Sequence, residues 1–256
     1  MTENLKNCWS VVTRNWTVYR KDFIANISPT VADPSLILIS LGLGLGGFVQ
    51  QVEGRSYMAF LAPGLVASTA LFTSFFESSY GFYIRMTFES VFKAMLTTPI
   101  TAGQIILGEY IWNFLKGAMM ASGVTLFLLC FGLAPAWWSV FPAALLGGVI
   151  ALPCAALGLL ASSFVRNINQ FQTVYSFLIA PIFYLSGVFF PLTPMPEAFR
   201  WAVLISPFTH GVRLMQQLFW HQLSWESVIV HGGALVAFSL ALGLWSAKRL
   251  KAQLVT

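Results

Sequence analysis

Charge is scarce in this chain. Only 9% of its 256 residues are Asp, Glu, Lys or Arg, whereas a soluble domain commits about 25% to hydrating its surface. Fourteen basic and nine acidic side chains cannot coat a 28.2 kDa globule. A nucleic-acid binder is excluded too, despite the net charge of +5, because the basic residues are sparse and flank apolar runs. Cysteine is equally short. Cys8, Cys130 and Cys154 form no CxxC and no metal-like spacing, which excludes a disulfide-stapled fold and leaves three small apolar side chains. His210, His221 and His231 are too dispersed for a metal site, and no HExxH or GxSxG occurs, so neither a metal nor an enzymatic nucleophile is expected. No phosphate-binding loop of the form GxxxxGKS or GxxxxGKT is present. If ATP powers this protein, another chain must bind it. The first 30 residues lack the apolar stretch of a cleavable signal peptide.

Hydrophobic residues make up 57% of the chain, and the mean hydropathy is +0.74. These values predict an all-α integral membrane protein, a single domain over 1–256. A transmembrane helix needs about 20 mostly apolar residues. Uncharged runs place six spans at about 33–52, 57–84, 107–131, 140–164, 170–190 and 226–247; the run from Gly117 to Val165 alone, 49 residues long, holds two of them, parted by Gly132 and Pro135. Before the first span, Leu5, Cys8, Trp9, Val12, Trp16, Tyr19 and Phe23 recur at helical steps, so 3–24 reads as an amphipathic helix lying in the membrane interface. Six spans put both termini on one side. That side carries ten Lys and Arg residues and the other three, which makes it cytoplasmic.

Two connections are informative. Residues 88–98 read as a short amphipathic helix with Phe88, Val91, Phe92, Met95 and Leu96 on one face, ended by Pro99; Thr101 and Gln104 then form a capping box that starts the third span. Residues 191–225 are too apolar for a soluble loop, yet Arg200, Pro207, His210 and Arg213 interrupt them. An outer re-entrant hairpin, bent at Ser206-Pro207, satisfies both limits. Gly42 to Gly47 spells GxGxxG, but within an uncharged span it lacks the strand and acidic residue of a dinucleotide site. Gly42 and Gly46 instead make a GxxxG pair suited to close helix packing, as do Gly147, Ala151 and Ala155, and Gly158 with Ser162. Asp33, Glu77, Glu109 and Lys116 lie in or beside spans. Pairing of Glu77 or Glu109 with Lys116 is the expected arrangement, and a proton relay the rival one.

Over nearly its whole length the sequence resembles the permease subunits of ABC type-2 exporters. The resemblance is carried by Glu89, Met95, Leu96 and Pro99 leading into 105–109, by 185–192, by Met195-Pro196 and by 205–210; Ala32-Asp33-Pro34, the 52–62 stretch and Phe76-Glu77 with Tyr80 are similar to the NodJ-like branch, which exports a lipo-chitooligosaccharide nodulation factor. Such a resemblance implies a homodimer in the bacterial inner membrane bearing two copies of a cognate ATPase. ATP and Mg would sit on that partner. Phe88, Glu89, Phe92, Lys93, Met95, Leu96 and Pro99 would form the coupling segment, and the first and fifth spans would line the export path, where the fifth offers Phe171, Tyr175, Phe177, Phe183 and Tyr184. Aromatic rings with polar tips suit a sugar-bearing lipid. Pro191, Pro196, Pro207 and His210 mark an exit gate in the hairpin. The alternatives are an ABC exporter of hydrophobic drugs or other small molecules and an ion-coupled secondary transporter.

Overall fold

The computed structural model describes residues 2–49 and 51–255. Among them every regular element is helical, and the only β pairing is an isolated bridge between Val52 and Arg55. Helix α1 (Thr2–Tyr19) turns through Arg20–Asp22 into α2 (Phe23–Gly46). Then follow α3 (Tyr57–Thr87), α4 (Val91–Leu96), α5 (Ala102–Cys130), α6 (Val140–Ser162), α7 (170–185), α8 (Glu197–Leu204), α9 (Pro207–Phe219) and α10 (Trp225–Leu254). Five of the described helices are long and apolar enough to cross a membrane: α1 joined to α2, α3, α5, α6 taken from Trp137, and α10.

Several boundaries differ from the sequence reading. The first span begins ten residues early, at Phe23, because 23–32 is uncharged and the helix tolerates Pro29 and Pro34; it ends at Gly46 rather than 52, where a turn through Glu53 and Gly54, both at positive φ, leads to α3. The 3–24 helix closes at Tyr19. The 88–98 helix shrinks to α4, because Ser90 adopts φ 53 and separates it from α3. The segment expected as the fifth span is the shorter helix α7, which stops at Leu185 rather than 190, ended by Gly187 at φ 88, and is not among those five.

Small residues bring α5 and α6 together. A Cβ on Gly117 would lie 2.5 Å from the Ala151 Cβ, and one on Gly147 would collide with the Ala121 Cβ. The main core forms where α3 packs against α5, α6, α7 and α9, around Phe60, Leu65, Leu71, Phe75, Phe208 and Met215. A second cluster at the opposite end joins Val11, Phe82, Phe92, Ile105, Leu159 and Leu250. The apolar stripe of α1 is divided: Cys8, Val12 and Tyr19 are buried, with Val11, against the rest of the bundle, whereas Leu5, Trp9, Trp16 and Phe23 face outward.

Candidate functional site

Charges within the bundle join into one chain. Lys116, the middle residue of the 29-residue α5, donates to Glu77 Oε2 at 2.6 Å. Glu77 Oε1 accepts from Arg85 at 2.6 Å, and Arg85 donates through its other terminal nitrogen to Glu109 Oε2 at 2.8 Å. Glu109, wholly buried, also accepts from the Asn15 amide of α1 at 3.1 Å. Two cations and two carboxylates alternate, so the chain is neutral overall. Neutrality and complete pairing are what make buried charge tolerable in an apolar bundle. Beside it, Arg14 reaches Glu89 at 3.8 Å across a more exposed gap, linking α1 to the segment before α4.

A local feature of α3 positions Glu77. Residues Glu77–Gly81 form a π turn, an insertion of one residue that leaves carbonyls poorly served by the helix. Ser162 on α6 is shared between the Ser78 and Ser79 carbonyls at 3.0 and 3.1 Å. Gly158 allows this approach, since a Cβ there would sit 2.8 Å from the Phe75 carbonyl oxygen.

Glu77 and Lys116 open onto a cleft of about 760 Å³ between α2, α3 and α7. Its walls carry rings (Phe72, Phe76, Tyr175, Phe183, Tyr184), hydroxyls (Thr30, Ser68, Thr69, Thr73) and Asp33. Asp33 therefore lies on the cleft wall inside α2 rather than opening a span. Three of the five aromatic residues expected on the path are on it. Phe171 is instead buried beside Tyr80, with ring centroids 4.7 Å apart, and Phe177 points away and is 83% exposed. Phe177 stands two residues after Tyr175, on the opposite side of the helix, within a second π turn, Tyr175–Ile179.

Around α4, Phe92 is buried against Phe82 at 4.7 Å between centroids, while Val91, Met95 and Leu96 pack on the same cluster. Phe88, Glu89, Lys93 and Pro99 are exposed. Thr101 and Gln104 make the reciprocal capping box at the start of α5. At the other end of α3, helices α8 and α9 meet at Ser206-Pro207. Pro207 has no N–H to offer the last carbonyls of α8. The Thr209 hydroxyl donates to Val203 O at 2.9 Å and His210 Nε2 to Leu204 O at 3.0 Å. With its proton on Nε2, His210 accepts at Nδ1 from His231 Nδ1 on α10, 2.7 Å away. Pro191 is half-buried, Pro196 exposed and Pro207 buried. Gly42 approaches Met58, whose Cγ a Cβ would meet at 2.5 Å, whereas among the described residues nothing beyond its own helix lies within 4 Å of a Cβ on Gly46.

Residues 6–220 match the family described as ABC-2 type transporter. The chain belongs to that family. It is similar to Nodulation protein J of Bradyrhizobium diazoefficiens, 31% identical over 240 residues that cover 94% of this chain and 91% of that protein. Against Nodulation protein J of Rhizobium leguminosarum bv. viciae the identity is 30%, over 97% and 95% of the two chains. The inner membrane transport permease YadH of Escherichia coli is 23% identical over 81% and 79%. This ABC-2 permease is therefore a multi-pass membrane transport subunit, and family members work with an ATPase subunit.

For the permease, the sequence leaves Lys116 with either Glu77 or Glu109. The structure pairs it with Glu77 and gives Glu109 to Arg85, a double role for Arg85 that the sequence reading misses along with the part played by Asn15. A signal was present: Arg85 stands eight residues after Glu77, close to two helical turns and on nearly the same face.

Proposed function

We propose that the chain is the membrane half of an ATP-driven exporter, acting as a homodimer with two copies of a cognate ATPase that holds ATP and Mg. Helix α7 with the following 186–190 turn completes six spans, and both termini are cytoplasmic in a bacterial inner membrane. Helix α4, with Glu89 and Lys93 exposed beside it, docks on the ATPase. The cargo is an amphiphile of the glycolipid or lipo-oligosaccharide class, a reading supported by the relatives named Nodulation protein J. The observation that carries it is the cleft of about 760 Å³ whose rings and hydroxyls share one wall, a lining that suits an acyl chain and a sugar together. Pro191, Pro196, Pro207 and His210 belong to an exit gate built from α8 and α9.

The test is co-reconstitution. Purified permease alone should hydrolyse no ATP; adding a cognate ATPase should give hydrolysis and uptake of an N-acyl chitooligosaccharide into inverted vesicles. Glu89→Lys should remove uptake while leaving folding intact, because the Arg14–Glu89 contact it breaks is partly solvated and worth less than about 1 kcal/mol. Robust hydrolysis by the isolated permease would sink the split-subunit reading, and wild-type uptake by the variant would remove the coupling role.

A further inference from the structure

The two ends of the buried charge chain differ in access. Glu109 is sealed, whereas Glu77 and Lys116 are each 14% exposed and both line the cleft. Glu77 is held twice, by Lys116 on one oxygen and by Arg85 on the other, so it keeps a cation when Lys116 engages something else. Lys116 has three N–H donors. Glu77 takes one, and the Tyr19 ring, 5.0 Å away, faces the ammonium without using a donor fully. The wall therefore offers spare donors and a carboxylate acceptor side by side, with the hydroxyls of Thr69, Thr73 and Tyr175 along the same surface.

Charge decides what such a surface prefers. The cleft lining holds Asp33 and Glu77 against a single ammonium, so an anionic headgroup would meet two carboxylates for one cation. An uncharged group rich in hydroxyls and amides meets donor and acceptor together, and it needs no counter-ion in a low-dielectric site.

We propose that the Glu77–Lys116 pair is the headgroup anchor of the cleft, a subsite for the neutral saccharide end of an amphiphile whose acyl chain lies along Phe72, Phe76 and Phe183. This rests on the export reading above and names the part of the cargo that is recognised. Lys116 is the specificity-determining residue, because it contributes the donors that Glu77 leaves unused.

The experiment measures binding of N-palmitoyl chitotetraose to the purified permease in phosphatidylcholine nanodiscs, above the signal from empty nanodiscs. Hexadecanamide serves as the sugar-free probe and a sulfated chitotetraose lipid as the anionic one. Wild type should bind the neutral glycolipid, and Lys116→Met should weaken it at least tenfold while leaving hexadecanamide unchanged. Lys116→Arg keeps the ion pair, and so guards against a folding defect; it should still weaken the glycolipid threefold or more, since a planar fork replaces a compact three-donor ammonium. Equal affinity in wild type and both variants overturns the anchor, as does an equal loss for hexadecanamide. Tighter binding of the sulfated probe overturns the neutral headgroup. If wild type binds neither lipid above empty nanodiscs, the glycolipid reading itself falls, and the anchor falls with it.

Discussion

Arg85 is the residue on which the internal charges depend, and removing it gives a sharp result. Its guanidinium bridges Glu77 at 2.6 Å and Glu109 at 2.8 Å. In Arg85→Met, Glu77 retains Lys116, but Glu109, fully buried, is left with one amide donor from Asn15. An unpaired buried charge of this kind costs about 3–5 kcal/mol. At roughly 2–4 °C per kcal/mol for a chain of this size, the melting temperature should fall by about 6–20 °C. Fluorescence-detected thermal unfolding in mild detergent measures this directly. The double variant Arg85→Met with Glu109→Gln removes one charge of each sign and leaves Lys116 with Glu77 as a closed pair. It should recover at least half of the loss. A single variant that melts within 2 °C of wild type, on that same scale, refutes the account. A double variant as unstable as the single would mean that lost packing around Arg85, not an orphaned carboxylate, sets the effect.

Two further outcomes follow from local geometry. Gly117→Ala must push a Cβ into Ala151, at 2.5 Å, and should cost about 1–3 kcal/mol by overpacking, whereas Gly46→Ala, with open space around it, should be neutral or slightly stabilising by helix propensity; equal melting temperatures would contradict the packing assignment. Burial, with Arg213 adding to it, lowers the His210 pKa below its usual value, so folding favours the neutral imidazole, and this stabilising contribution is complete above about pH 6.5 and is lost as pH falls through the lower folded value. Acidification should therefore lower the melting temperature more in wild type than in His210→Gln, and identical acid sensitivity would remove the His210 titration from the account.

What the sequence made legible was whatever depends on local composition. Uncharged runs between 57 and 162 marked three helices within a few residues, because the cost of burying charge acts on each residue separately. The Thr101–Gln104 capping box is local in the same sense. That Lys116 pairs with one of two carboxylates is legible as electroneutrality, but which one depends on the fold, and it is Glu77, 39 residues away. The illegible parts depend on tertiary placement. Gly42 and Gly46 share a motif, yet only Gly42 meets a neighbour, since that depends on where α3 lies. Tyr175 lines the cleft and Phe177 faces out, since residues two apart lie on opposite sides of a helix, and only the tertiary placement of α2 and α3 decides which side is inward.

The π turns share one logic. There are three among the described residues, Glu77–Gly81, Tyr175–Ile179 and Val228–Gly232, and each contains a residue with a distinctive place: Glu77 in the charge chain, Tyr175 on the cleft wall, His231 against His210. An inserted residue costs helix hydrogen bonding, which in a membrane must be restored by a neighbour. Ser162 does so for the first turn, through a hydroxyl that Gly158 allows close enough. The polar contacts then run without a gap from Asn15 on α1 through Glu109, Arg85 and Glu77 to Lys116 at the cleft, with Arg14 beside Asn15 reaching Glu89. Glu89, in the segment just before α4, is thus connected to the cleft by a continuous line of polar side chains, each held in place by a partner on another element. Such mutual pairing is what lets a few charges reside in an otherwise apolar bundle.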